Sequence, residues 1–254
     1  MLSRLPERKE KIFYSVYNKA MIERLNNEPN SIQEQTDSYW YGVLPEYMDN
    51  VHSAIIAGCG HGVEVYGLAK MFSEIRFIGV DVYQPTIRYA KKHFRLENIK
   101  FVYSDISDHI KTSKEIDMMI LRRMAHHMAE SELLNLFHKS KEIGVKKIYY
   151  ADFDGIDNHL DPWLVDWYNT RTALGDNYID YFRKGTMKLT LYDGKITFGQ
   201  MDALGFDSQL AAHQGSVIID MLNESGYSII FKNYLKSPLS NLRSIIEIVA
   251  STED

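Results

Sequence analysis

The chain has 254 residues and a formal net charge of −5, from 29 Lys and Arg against 34 Asp and Glu. Its 45% hydrophobic and 25% charged residues are ordinary for a globular protein and exclude a disordered chain. The missing basic excess counts against a nucleic-acid partner, and the single cysteine, Cys59, excludes an internal disulfide and a cysteine-based zinc cluster.

The first residues, MLSRLPERKEKIFYSVYNKAM, are too charged for a signal-peptide core and too acidic for a transit peptide. No apolar run approaches the roughly 20 residues that span a bilayer. With one cysteine, this reads as a cytoplasmic protein with no membrane partner. Apolar positions at Ile12, Phe13, Val16, Tyr17, Ala20, Met21 and Leu25 predict a helix over 7–25, ended by Asn26-Asn27-Glu28-Pro29. A second helical piece is expected over 33–49. Residues 1–52 are thus expected to form a helical cap.

From Ser53 the texture changes. Short apolar runs at 54–57, 76–81, 99–105, 116–121 and 147–152 read as strands. Helical segments are expected at 63–72, 84–95 and 130–142. Strands alternating with helices at this spacing predict βαβ units, a mostly parallel sheet and right-handed crossovers. Residues 154–214 break the rhythm, with strand-like pieces at 187–192 and 195–198. Trp163, Trp167 and Tyr168 share one helical face there. An insertion of this length inside an α/β domain predicts a lid or substrate-binding element. His213-Gln214 can reach the same cavity. A helix is expected at 215–225, then strands at 227–235 and 244–250. Their connection is too short for a parallel crossover, so this pair is antiparallel.

The first strand runs into Gly58-Cys59-Gly60-His61-Gly62. Glycines here let the backbone turn sharply and approach a ligand, with free helix N–H groups behind. No glycine stands at the third position of the dinucleotide fingerprint, which argues against a nicotinamide cofactor, and no GK[ST] follows to make a P-loop. Asp81 closes the second strand, where a carboxylate can accept both ribose hydroxyls. Asp105 closes the third, within reach of an adenine amino group.

These residues resemble the class I S-adenosylmethionine-dependent methyltransferases, small-molecule type. The resemblance rests on AGCGHG (57–62), GVDVYQPTI (79–87), VYSDI (102–106) and the closing strand pair over 227–250. It implies a Rossmann-like, doubly wound α/β fold over residues 53–254. The sheet would have seven strands, mostly parallel with an antiparallel last strand, beside the N-terminal helices and the lid. It implies S-adenosylmethionine as cofactor, with Gly58, Cys59, Gly60 and Gly62 beside its methionine part and ribose. Asp81 and Val82 would hold the ribose side, and Asp105 and Ile106 the adenine. Ile56 stands where most family members carry Asp or Glu.

Arg122-Arg123-Met124-Ala125-His126-His127 follows the fourth strand. The Asn/Asp-Pro-Pro-aromatic motif of base-amine methyltransferases is missing. The segment is similar to the Leu-His-His segment of small-molecule members, and in the similar plant O-methyltransferases a histidine at the place of His126 is the general base. Histidine has the proton affinity for that role. His126 and His127 are therefore the candidate catalytic residues, with His127 expected to point elsewhere and orient the loop. A guanidinium at Arg122 can clamp a carboxylate and is assigned to the cofactor. Asp152, Asp154, Asp157 and Asn158 form an acidic cluster, read as turn chemistry with no metal. The expected reaction is methyl transfer to a hydroxyl, amine or carbon of a small molecule. The alternatives are an RNA or protein methyltransferase and a catalytically silent cofactor-binding subunit. A homodimer stays open.

Overall fold

The computed structural model describes residues 22, 41–153, 190–191, 196–197, 213–236 and 244–252. Seven strands form one sheet: β1 (Ser53–Ala57), β2 (Arg76–Asp81), β3 (Ile99–Tyr103), β4 (Met118–Arg122), β5 (Lys147–Phe153), β6 (Ser228–Lys236) and β7 (Ser244–Ser251). Their spatial order is β3-β2-β1-β4-β5-β7-β6. The β1–β5 pairings are parallel, and β7 runs antiparallel to both β5 and β6. This is a Rossmann-like, mostly parallel seven-stranded sheet with an antiparallel last strand, as expected from the sequence.

All five residues of β1 are buried, the signature of a central parallel strand covered on both faces. One face packs Ile55, Ala57, Leu121 and Tyr150 against α4 (Glu130–Glu142) and α5 (Gly215–Glu224). The other packs Ile56, Ile120 and Tyr149 against α1 (Val63–Met71) and α2 (Gln84–His93). Local chemistry sets the helix ends. Pro85 opens α2, where its missing N–H costs nothing. Glu132 reaches back to the Ala129 N–H at 2.7 Å and caps α4 from its third position.

Two expectations need correction. A further helix, α3 (Ile106–Thr112), is absent from the sequence reading. Its N-cap is Asp105, whose carboxylate accepts from Ser107 N at 2.7 Å, so β3 stops at Tyr103 instead of 105. The helix expected over 33–49 is, within the described residues, one 3₁₀ turn at Leu44–Tyr47. Gly42 at φ +62° and Pro45 at the turn's start stop a longer helix. Leu44, Met48 and Val51 are nevertheless buried against the sheet. Within the insertion, 190–191 pair antiparallel with 196–197. Of the helix expected over 7–25 only Ile22 is described, and it is helical. Residues 154–189, which hold the aromatic residues Trp163, Trp167 and Tyr168 and also Asp154, Asp157 and Asn158, lie outside the described residues.

Candidate active site

The strand order reverses between β1 and β4, and open α/β sheets bind ligands outside the carboxyl ends of strands at such a switch point. The loops leaving those two strands meet there. Gly58, Gly60 and Gly62 all have positive φ, at +67°, +51° and +86°. Gly58 lies so close to Met124 that a Cβ would collide with its side chain, so the β1 loop rests on the loop that carries His126 and His127. Beneath Gly62, a Cβ would sit 2.7 Å from Phe101 Cζ and 2.9 Å from Ala90 Cβ. Above Gly60, a Cβ meets no described atom within 4 Å. The loop is thus packed from below and open at its crest.

Asp81 ties this loop to β2. Its carboxylate accepts from Gly60 N at 2.8 Å and from Tyr83 N at 2.7 Å. Burial raises the Asp81 pKa, and the bonds from Tyr83, Gly60 and Thr86 oppose the rise. Val82 is 56% exposed, and Tyr103, level with Asp81 on the next strand, is 55% exposed. Two large apolar side chains left in water beside a carboxylate suit a flat, partly apolar ligand such as a nucleoside. Asp105 is exposed and Ile106 is buried. The cradle therefore fits the nucleoside part of the expected cofactor.

Ile56 is buried in the core, so no carboxylate enters from β1. Glu64, on the first turn of α1, forms an ion pair with Arg122 at 3.1 Å, both nearly fully buried. Cys59 is 7% exposed, and burial, Asp81 and Glu64 push its thiol pKa well up. Its contribution to the loop is backbone: Cys59 N donates to Val80 O at 3.0 Å.

His126 lies in a 3₁₀ turn, Ala125–His127, and is 4% exposed. Its Nδ1 is 2.8 Å from Asp152 Oδ1, and its backbone N donates to Asp152 Oδ2 at 3.2 Å. A carboxylate only accepts, so Nδ1 carries the proton, and Nε2 holds a lone pair in the neutral ring. Asp152 is fully buried at the end of β5. Its part was missed in the sequence, where it reads as one of three aspartates and an asparagine in a turn cluster. The signal that could have found it is register: Arg122 pairs with Ala151, which sets Asp152 beside the loop after β4. His127 does not point away as expected; its ring lies 4.0 Å from that of His126, centroid to centroid. Arg123 is exposed, with φ +49°.

Residues 53–145 match the sequence model of a methyltransferase-domain family. Over this stretch the chain is similar to methyltransferase domains. The stretch runs from the first residue of β1 to three residues past the end of α4, so it includes the glycine loop, Asp81 and His126. Solved methyltransferases share the fold at low identity. A candidate O-methyltransferase of Nostoc punctiforme is 16% identical, with a TM-score of 0.55 over 92% of this chain and 58% of that one. The plantazolicin methyltransferase BamL is 14% identical, with a TM-score of 0.57 over 96% and 95%. The magnesium protoporphyrin IX methyltransferase of Synechocystis is 10% identical, with a TM-score of 0.52 over 98% and 88%. The chain spans little more than half the length of the first two structures it resembles, 58% of each. No curated protein matches it. Among the described residues no helix is long and apolar enough to cross a membrane.

Proposed function

We propose that this methyltransferase domain moves a methyl group from S-adenosylmethionine to a hydroxyl, amine or carbon of a small molecule in the cytoplasm, with His126 at the acceptor. The observation that carries this reading is the juxtaposition at the switch point. An open glycine loop anchored by Asp81 touches, through Gly58 and Met124, the loop that presents a buried His126–Asp152 pair. The bound cofactor supplies an electrophilic methyl on a sulfonium. The chain's own residues do the rest. The Gly58–Gly62 loop brings backbone close to the methionine part and ribose, and Asp81 accepts from the ribose diol through lone pairs left beside its two loop bonds. Val82 and Ile106 flank the adenine, and Asp105 accepts from its amino group. Arg122, at the end of β4, borders the methionine end.

Methyl transfer is an in-line displacement, so positioning the acceptor is the larger part of the work. A hydroxyl or amine also loses a proton, and the His126 Nε2 lone pair can take it. Asp152 holds the ring in the tautomer that leaves that lone pair in place. His127 packs on the His126 ring and limits its tilt. Residues 154–214 are assigned to cover the strands' carboxyl ends; residues 47–49 instead meet the amino-terminal start of β5, where Lys147 Nζ donates to Tyr47 O at 3.3 Å and Asp49 O at 2.8 Å. The solved neighbours include enzymes of plantazolicin and N-acetylserotonin, which favours a small acceptor.

The test is turnover of S-adenosylmethionine to S-adenosylhomocysteine with fractionated small metabolites as acceptors. His126→Ala is expected to lower turnover by about 10²–10⁴-fold and to leave S-adenosylhomocysteine affinity unchanged. Near-full turnover of this variant would return the histidine to a packing role.

A further inference from the structure

We propose that His213 is a positioning residue for His126, bracing from α5 the turn that carries it. The inference rests on His126 acting at the acceptor. His213 stands two residues before α5 and is 7% exposed. Its Nε2 lies 3.1 Å from Ala125 O and 3.1 Å from Met128 O, the carbonyls on either side of the His126 turn. Both partners only accept, so Nε2 bears the proton and shares it between them. Nδ1 faces the Glu130 carboxylate at 4.0 Å, too far for a direct bond.

A brace is needed for a physical reason. The turn is three residues long, closed by His127 N to Met124 O and Met128 N to Ala125 O. Such short 3₁₀ pieces have poor hydrogen-bond geometry and little stability of their own. Asp152 grips the turn from the β5 side through the His126 ring and backbone. Nothing in that grip fixes Met128 or the chain leading into α4. His213 does, through the Ala125 and Met128 carbonyls. The histidines thus hold opposite tautomers: His126 protonated on Nδ1, His213 on Nε2. Loss of His213 frees the turn, and the His126 ring then samples both tautomers.

The experiment is a two-bond proton–nitrogen correlation spectrum of the full chain with ¹⁵N-labelled histidine, with S-adenosylhomocysteine added. The nine histidines are assigned by difference from His126→Asn and His213→Gln. The wild-type spectrum is expected to show one Nδ1–H pattern for His126 and one Nε2–H pattern for His213. In His213→Ala the single His126 pattern is lost to an averaged one, while S-adenosylhomocysteine affinity is unchanged. His213→Gln keeps an N–H donor and restores the pattern in part. An unaltered His126 pattern in His213→Ala, or an Nδ1–H tautomer at wild-type His213, would overturn the proposal. If the alanine variant does not fold, the wild-type tautomers and the glutamine variant decide. The readout needs no turnover, so it is independent of the general-base reading. That reading fails separately, through an active His126→Ala.

Discussion

Asp81 carries two loads, and its variants should report both. It pins the glycine loop through Gly60 N and receives the ribose diol in the proposed complex. Asp81→Ala is expected to weaken S-adenosylhomocysteine binding by about 1.5–3 kcal/mol, the range for hydrogen bonds to a charged group, measured by calorimetry. Its raised pKa sets the sign of two pH effects. The folded chain holds this proton more tightly than the unfolded one. The Asp81 contribution to stability therefore declines as pH rises from the ordinary carboxylate value through the raised one. The diol needs the ionised carboxylate, so cofactor affinity should be lost as pH falls through the same window. Cys59 gives a simpler prediction. Burial and two nearby carboxylates keep its thiol protonated, so a thiol-specific reagent at mildly alkaline pH should label it only after unfolding. At this scale the place of Asp81 was legible, because it ends the apolar run of the second strand, the strand that follows the glycine loop. Asp152 was not, because its bond to His126 crosses between neighbouring strands and depends on register.

Among the elements, the glycine loop separates folding from function. Gly62→Ala must take a left-handed conformation and push against Phe101 and Ala90, so it should destabilise the fold by about 1–3 kcal/mol. Gly60→Ala meets open space and bears only the left-handed cost of roughly 1–2 kcal/mol. Its methyl group stands where the cofactor backbone would approach. Urea unfolding and calorimetry on the two variants should therefore diverge: Gly62→Ala mainly lowers stability, and Gly60→Ala mainly lowers affinity. The strands were readable from the sequence because buried parallel strands are unbroken apolar runs bounded by polar ends. The short α3 was not. Asp105 looks like the end of a strand, and seven residues give too little helical period to show against it. The helix expected over 33–49 fails, over its described part 41–49, for a different reason. Its apolar residues do face the core, but Gly42 and Pro45 break the backbone that would join them.

At the level of the whole molecule, the chain ahead of β1 is fastened to the far side of the sheet. Tyr149 on β5 donates to Tyr41 O at 3.2 Å and bonds Glu247 on β7, whose Oε1 also accepts from Val43 N at 2.7 Å. A Cβ on Gly42 would run into the Glu247 carboxylate, so the chain can sit this close only as glycine. Burial pushes the Tyr149 phenol far above its ordinary pKa; the Arg122 charge opposes this and Glu247 adds to it, so the hydroxyl remains a donor at any working pH. Tyr149→Phe should cost about 1–3 kcal/mol in denaturant unfolding, because it strips a buried carbonyl and carboxylate of a shared donor. This contact spans more than a hundred residues of sequence, and no local pattern announces it. The parallel pairing of the first strands and the antiparallel final pair, by contrast, followed from the strand–helix rhythm and the short final connection, and the sheet places the glycine loop, Asp81 and His126 along one edge. The central claim is that this edge binds S-adenosylmethionine and not a dinucleotide. Calorimetric titration of the full chain with S-adenosylhomocysteine, alongside NADH, tests it most directly. Saturable binding of S-adenosylhomocysteine, weakened in Asp81→Ala, with no heat from NADH, is the expected result. Equal affinity in wild type and Asp81→Ala, or tighter binding of NADH, would contradict it.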